Sequence, residues 1–176
     1  CFLQAGVGSF AGAVVGCLAA ALGEKAPKFI TVEPHQANCL YKSAVIGDGN
    51  PHNVTGDLQT LMAGLACGEP NTTSWGLLRD YCSAYISCPD YMAANGMRVL
   101  AAPVKGDNPV VSGESGAVTT GIVQWLMQHP AATAQRAALG LGPDSSVLLI
   151  STEGDTAPDV YKNVVWFGAY PDLDLP

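Results

Sequence analysis

The chain has 176 residues, 48% of them hydrophobic and only 13% charged, about half the roughly 25% charged share usual in soluble proteins. Its 20 glycines and 12 prolines exclude a coiled coil, and so high an apolar fraction excludes bulk disorder. With 8 basic against 15 acidic residues and a net charge of −7, no basic stripe is available to neutralise phosphates, which excludes a nucleic-acid reader.

Residues 1–5 read as a buried strand, followed by a glycine turn at Gly6 to Gly8 and a helix from Ser9 to Leu22 that Gly23 ends. The first 23 residues carry no charge. Gly6, Gly8, Gly12 and Gly16, with polar Gln4 and Ser9, nevertheless argue against a membrane span, and the lack of a basic leader argues against a signal peptide. A start inside an apolar run, without Met, reads as the middle of a larger protein. Lys28 to Val32 is rich in β-branched residues and is closed by Pro34, giving a second strand and hence a βαβ unit with parallel strands. Gly8, Gly12 and Gly16 share one helix face, which would let that helix approach the sheet.

Residues 35–46 read as helical and 47–53 as a turn-rich loop. Asp57 to Ala66 reads as a helix capped by Asp57, with Leu58, Leu61, Met62 and Leu65 on one face. Thr73 to Cys82 follows as a helix, Ala84 to Ser87 as a strand, and Pro89 opens a helix from Asp90 to Leu100. Residues 112–116 break the chain before helices at Ala117 to Gln128 and 131–138. Val147 to Ile150 reads as a buried strand, and Pro158 starts the last helix. No repeat or linker interrupts the pattern. It predicts a single α/β domain over 1–176, with a mainly parallel sheet flanked by helices.

The six cysteines (Cys1, Cys17, Cys39, Cys67, Cys82 and Cys88) show no C-x-x-C spacing, and only three histidines accompany them. A structural zinc site is therefore not expected; reduced, mostly buried thiols of a cytoplasmic protein are. The segment AGVGSFAG places Gly-x-Gly-x-x-x-Gly between a strand and a helix, where backbone N–H groups make an anion cradle. The spacing alone leaves three readings open: a dinucleotide fold with Glu33 on a ribose hydroxyl, another phosphate-binding turn, or glycines that serve packing only.

Five segments occur in order: AGVGSFAG (5–12), VEPHQANCLYKS (32–43), GDLQTLMAGLACGEP (56–70), SGESGA (112–117) and LLISTEGDT (148–156). Together they resemble the fold-type II pyridoxal-phosphate enzymes, and MAGLACGEP and ISTEGDT are similar to the diaminopropionate ammonia-lyase branch in particular. The resemblance implies the large-domain fold of the tryptophan synthase β-like enzymes, with pyridoxal 5'-phosphate as cofactor. It sets the cofactor phosphate on Gly6, Val7, Gly8 and Ser9, with Phe10 alongside. It assigns the partner of the pyridine nitrogen to Ser151, with Thr152 as second choice. Glu114 either lies by the cofactor or simply begins a helix; Asp155 either faces the substrate or caps the last helix, capping being the preferred reading. Some relatives hold a divalent cation through a Glu ending the second strand and an acid six residues on. Here those positions are Glu33 and Cys39, and hard cations want oxygen ligands, so no metal is expected. Cys39 and Cys67 lie in matching segments that should emerge on one rim of the sheet, which makes them a candidate disulfide.

In the family the Schiff-base lysine precedes the glycine loop, and none of Lys25, Lys28, Lys42, Lys105 or Lys162 sits in a matching motif. The resemblance thus implies the C-terminal portion of an enzyme that eliminates ammonia from 2,3-diaminopropionate, with the isolated chain inactive. It further implies a cytoplasmic homodimer that binds neither nucleic acid nor membrane. Serine/threonine dehydratases, cysteine synthase relatives, and a nicotinamide-binding or catalytically silent domain remain as alternatives.

Overall fold

Two short apolar runs, Phe2–Gln4 (β1) and Phe29–Pro34 (β2), are buried along their whole length, as expected of strands covered on both faces. With Cys82–Cys88 (β3) they form a parallel sheet in the order β1-β2-β3. Leu3 pairs with Thr31, and Val32 with Ile86. The structure, a computed structural model, describes residues 1–172 and divides into two compact units, the first ending at Cys88 and the second beginning at Pro89.

In the first unit, Ser9–Leu22 (α1) runs between Gly8 and Gly23, both at positive φ, so glycine bounds it at either end. Its glycine face meets a helix rather than the sheet. A Cβ on Gly12 would lie 2.7 Å from Ser74 Cβ, and one on Gly16 would lie 3.4 Å from Leu77 Cδ1. Both partners belong to Thr72–Tyr81 (α3), whose N-cap Asn71 accepts the Ser74 N–H at 2.9 Å. The region 35–46 begins as a 3₁₀ turn and becomes the helix Cys39–Ile46 (α2). Phe2, Leu3, Val15, Phe29, Val32, Leu40, Met62 and Leu78 form the core of this unit.

The helix expected over 57–66 is absent. Gly56 and Leu58 both take positive φ, and Asp57 Oδ1 accepts the N–H of Gln59, a local turn in place of a cap. The segment is instead a loop closed by Val54 N–H on the Gly68 carbonyl at 2.7 Å, with one 3₁₀ turn at Ala63–Leu65. Leu61, Met62 and Leu65 are still buried. The apolar periodicity recorded burial correctly and the backbone incorrectly.

In the second unit, Asp90–Ala101 (α4), Glu114–Gln128 (α5), Thr133–Leu139 (α6) and Pro158–Val165 (α7) follow Pro89, which stands at the N-cap of α4. α5 begins inside the SGESG segment that reads from sequence as a break, three residues earlier than expected. α4 and α5 touch backbone to backbone. A Cβ on Gly96 would fall 2.0 Å from the Ala117 carbonyl oxygen, and one on Gly121 would fall 1.8 Å from that of Met92. Arg98 of α4 donates to the carbonyls of Val164 at 3.2 Å and of Ala169, and to Asn95 Oδ1 at 2.9 Å. No strand forms over 147–150, where Leu148 is 47% exposed; among the described residues the ladder lies wholly within the first unit. An apolar run becomes a strand only where a neighbouring strand pairs with it. No helix among the described residues is long and apolar enough to cross a membrane.

Candidate functional site

The glycine turn lies between the buried end of β1 and the start of α1. Gly8 is the N-cap of α1 with φ 92° and ψ 2°, a left-handed conformation in which a side chain is strained. A Cβ there would also fall 2.8 Å from Leu78 Cδ1 and 3.2 Å from Leu40 Cδ1. A Cβ on Gly6 would fall 3.3 Å from Cys67 Sγ. Gly8 is therefore required by both backbone and close approach, while Gly6 is tightly packed. The first-turn N–H groups of α1, from Ser9 onward, have no intrahelical acceptor. Ser9 is exposed, and its hydroxyl accepts from Asn71 Nδ2 at 3.0 Å. Asn71 N–H donates to the Val7 carbonyl at 2.8 Å. Beside the turn opens a cleft of about 380 Å³ lined by Val7, Glu69, Pro70, Asn71, Thr72 and Thr73. The turn offers peptide donors, one hydroxyl and a helix N-terminus, and no side-chain charge. That donor set fits a phosphate.

Under the turn sits a buried acid. Glu33 is wholly inaccessible, and its Oε1 and Oε2 accept the N–H groups of Leu40 at 2.9 Å and Tyr41 at 2.6 Å. Burial pushes its carboxyl up to about 8, while the two amides pull it back down. A carboxylate so engaged is not available to a ribose hydroxyl, which removes the dinucleotide reading of this residue. Among the described residues, no group of three His, Cys, Asp or Glu side chains is arranged to hold a metal ion.

Cys39 and Cys67 both lie against Gly6: Cys39 Sγ is 3.6 Å from the Gly6 carbonyl oxygen, and Cys67 Sγ faces the Gly6 Cα. Both are free thiols here, so the candidate disulfide between them is not formed. Burial, followed by the neighbouring Glu33, pushes the Cys39 thiol up to about 12, and so far from neutrality it forms little of the thiolate that starts disulfide chemistry.

The second constellation belongs to the second unit, where the SGESG and STEGD segments interlock. Ser151 Oγ donates to the buried Ser112 Oγ at 2.8 Å, and Gly113 N–H donates to the Glu153 carbonyl at 3.2 Å. The carboxylate that receives the start of α5 is Glu153, whose Oε1 accepts the N–H groups of Ser115 at 2.6 Å and Gly116 at 3.0 Å. Glu114 is the first residue of α5 and is buried; burial raises its carboxyl, and the nearby Glu153 raises it further. Thr152 is exposed next to Ser151. Asp155 is exposed and does not cap the last helix, whose N-cap is Ala157 with no side-chain bond. The structure thus groups Gly6 to Phe10 with Cys39 and Cys67, and separately groups Ser151 and Thr152 with the loop of Glu114. Sequence reasoning missed the roles of Glu153, Ser112 and Asn71. Asn71 alone had a local signal, as an Asn immediately before a helical run.

Residues 1–153 match the family model described as pyridoxal-phosphate dependent enzyme. The chain is 56% identical over 167 residues to the diaminopropionate ammonia-lyase of Salmonella typhimurium, covering 94% of this chain and 41% of that protein. It is 48% identical over 168 residues to the enzyme of the same name from Escherichia coli, covering 96% and 42%. The solved structure of holo diaminopropionate ammonia lyase from Escherichia coli superposes with a TM-score of 0.87 at 46% identity, covering 96% of this chain and 41% of that one. The chain spans about two fifths of the length of these relatives. A match that runs from the first residue to Glu153 leads to one conclusion: this chain belongs to the pyridoxal-phosphate dependent enzyme family.

Proposed function

We propose that the whole protein eliminates ammonia from 2,3-diaminopropionate, converting it with one water to pyruvate and two ammonia, and that this chain supplies the non-covalent half of the cofactor site. The identity of 56% to a diaminopropionate ammonia-lyase over 94% of the chain carries the reading. When bound, pyridoxal phosphate supplies an electron sink for the pair left at Cα once its proton is removed. Gly6, Val7, Gly8 and Ser9 bind the phosphate through peptide N–H groups and the Ser9 hydroxyl, with Phe10 in the first turn behind them.

Ser151, with Thr152 beside it, presents a neutral hydroxyl to the pyridine nitrogen. Ser151 Oγ donates to Ser112 Oγ in the structure, so its proton would turn from Ser112 to the ring nitrogen when the cofactor is bound. A neutral partner would leave the ring nitrogen of a bound cofactor without a full positive charge, which would suit an elimination. Glu114, whose carboxyl burial raises above its ordinary range, stands beside the site, and Asp155 stands on the substrate side. None of the five lysines is assigned as covalent anchor: Lys42 donates to the Asn53 carbonyl, and Lys162 lies over Trp166 and Phe167.

The proposal includes a homodimer in the cytoplasm, where the six free thiols would persist. The test is pyruvate release from 2,3-diaminopropionate by the intact protein, with Ser151→Ala and Gly8→Asp as variants. We expect pyruvate from the parent, none from Gly8→Asp, and a rate at least about tenfold lower from Ser151→Ala. Turnover of serine or threonine in preference to diaminopropionate would overturn the substrate assignment.

A further inference from the structure

Glu33 spends a fully buried carboxylate on two backbone amides at the start of α2. One of the two residues fixed by those bonds touches the glycine turn, and so does the residue before it. Leu40, whose N–H bonds Oε1, also sends its Cδ atoms against the Cα of Gly8, within 3.2–3.3 Å of where a Cβ would stand. Its neighbour Cys39 places Sγ 3.6 Å from the Gly6 carbonyl oxygen. No side chain caps α2 from its own N-cap position, Asn38, and the distant acid takes up that duty. Burying a carboxyl this completely is costly unless it is well bonded. An ordinary N-cap would have held the helix at the surface without that cost.

We propose that Glu33 is a positioning residue for the phosphate turn, holding Cys39 and Leu40 so that Gly6 and Gly8 keep the shape that aims their N–H groups. The inference rests on the reading of the turn as the cofactor's phosphate seat. In Glu33→Gln one amide loses its acceptor and meets an N–H₂ group instead, so the start of α2 shifts while the side-chain volume stays the same. Glu33→Asp keeps the carboxyl group but shortens the arm, so it reaches one amide and not both.

The experiment measures pyridoxal-phosphate affinity and thiol labelling on the intact protein, cofactor-free and kept reduced. Glu33→Gln should weaken pyridoxal-phosphate binding about tenfold, Glu33→Asp less, with the helical circular dichroism unchanged. Labelling should rise about tenfold at Cys39 while Cys88, also buried in the first unit, keeps its slow rate. Equal acceleration at both cysteines would mean general loosening of the unit and would overturn the positioning role. Unchanged affinity with unchanged Cys39 labelling would overturn it as well. If Glu33→Gln does not fold, Leu40→Ala decides: it removes the contact on Gly8 and leaves the acid in place, and normal affinity in that variant sinks the proposal. Gly8→Asp runs in parallel. Full pyridoxal-phosphate binding by Gly8→Asp would overturn the reading of the turn itself, whereas loss in Gly8→Asp with none in Glu33→Gln would overturn only the role of Glu33.

Discussion

Glu153 Oε1 accepts the backbone N–H of Ser115 at 2.6 Å across 38 residues of chain. The same oxygen takes the N–H of Gly116 at 3.0 Å, so a single carboxylate oxygen closes the first turn of α5. It also ties the segment bearing Ser151 to the segment bearing Glu114. Helix start and candidate ring-nitrogen partner are thereby held by one side chain.

Removing that cap should be felt in stability before chemistry. Glu153→Ala is expected to lower unfolding free energy by about 1–2 kcal/mol, the range for losing a good N-cap. Urea unfolding followed by circular dichroism checks it. No change in midpoint would mean the cap is replaced by water.

Gly8→Ala tests backbone strain apart from charge. With φ at 92° and Leu78 Cδ1 2.8 Å from the new Cβ, the loss should be about 1–3 kcal/mol. Phosphate affinity, read by competition with pyridoxal phosphate, should fall with it.

The close crossing of α4 and α5 makes a harsher prediction. Gly96→Ala and Gly121→Ala each place a methyl at 2.0 Å or less from a backbone oxygen. Backbone cannot swing aside as a side chain does, so each should cost about 3 kcal/mol or more. Expression level and thermal melting of the two variants report it.

Glu33 gives a pH signature of definite sign. Its carboxyl is raised from an ordinary 4.5 to about 8, so between those values the folded protein holds a proton that the unfolded chain has released. The stabilisation is complete below about 4.5 and drains away as pH rises through about 8. Cys39, pushed to about 12, keeps its proton throughout this window. Melting temperatures of the parent should therefore fall between pH 6 and pH 9, and those of Glu33→Gln should fall less. Parallel profiles would refute the assignment.

The parts legible in the sequence were those whose signals are local. Both ends of α1 were read correctly because glycine marks each one, and β1 and β2 because their apolar runs stop at a turn and a proline. The resemblance carried the Ser151 and Glu114 segments, which the structure indeed brings into one constellation. Position 57–66 failed because Leu58 adopts positive φ, which no side-chain pattern announces. The run 147–150 failed because a strand needs a neighbour, and a neighbour is a property of the fold. Glu33 and Glu153 escaped for a related reason. Each caps a helix from outside its own sequence neighbourhood, at a separation that capping rules do not scan.

Arg98 has a practical bearing on how the protein is handled. Its guanidinium holds the carbonyls of Val164 and Ala169 from within α4. Partial burial already lowers the pKa of this cation, so those carbonyls replace part of its hydration. A purification tag or reporter joined directly after Val165 would remove the Ala169 carbonyl and strand the guanidinium. Any fusion or cut should therefore spare the stretch from Val164 to Ala169, which keeps the anchorage whole.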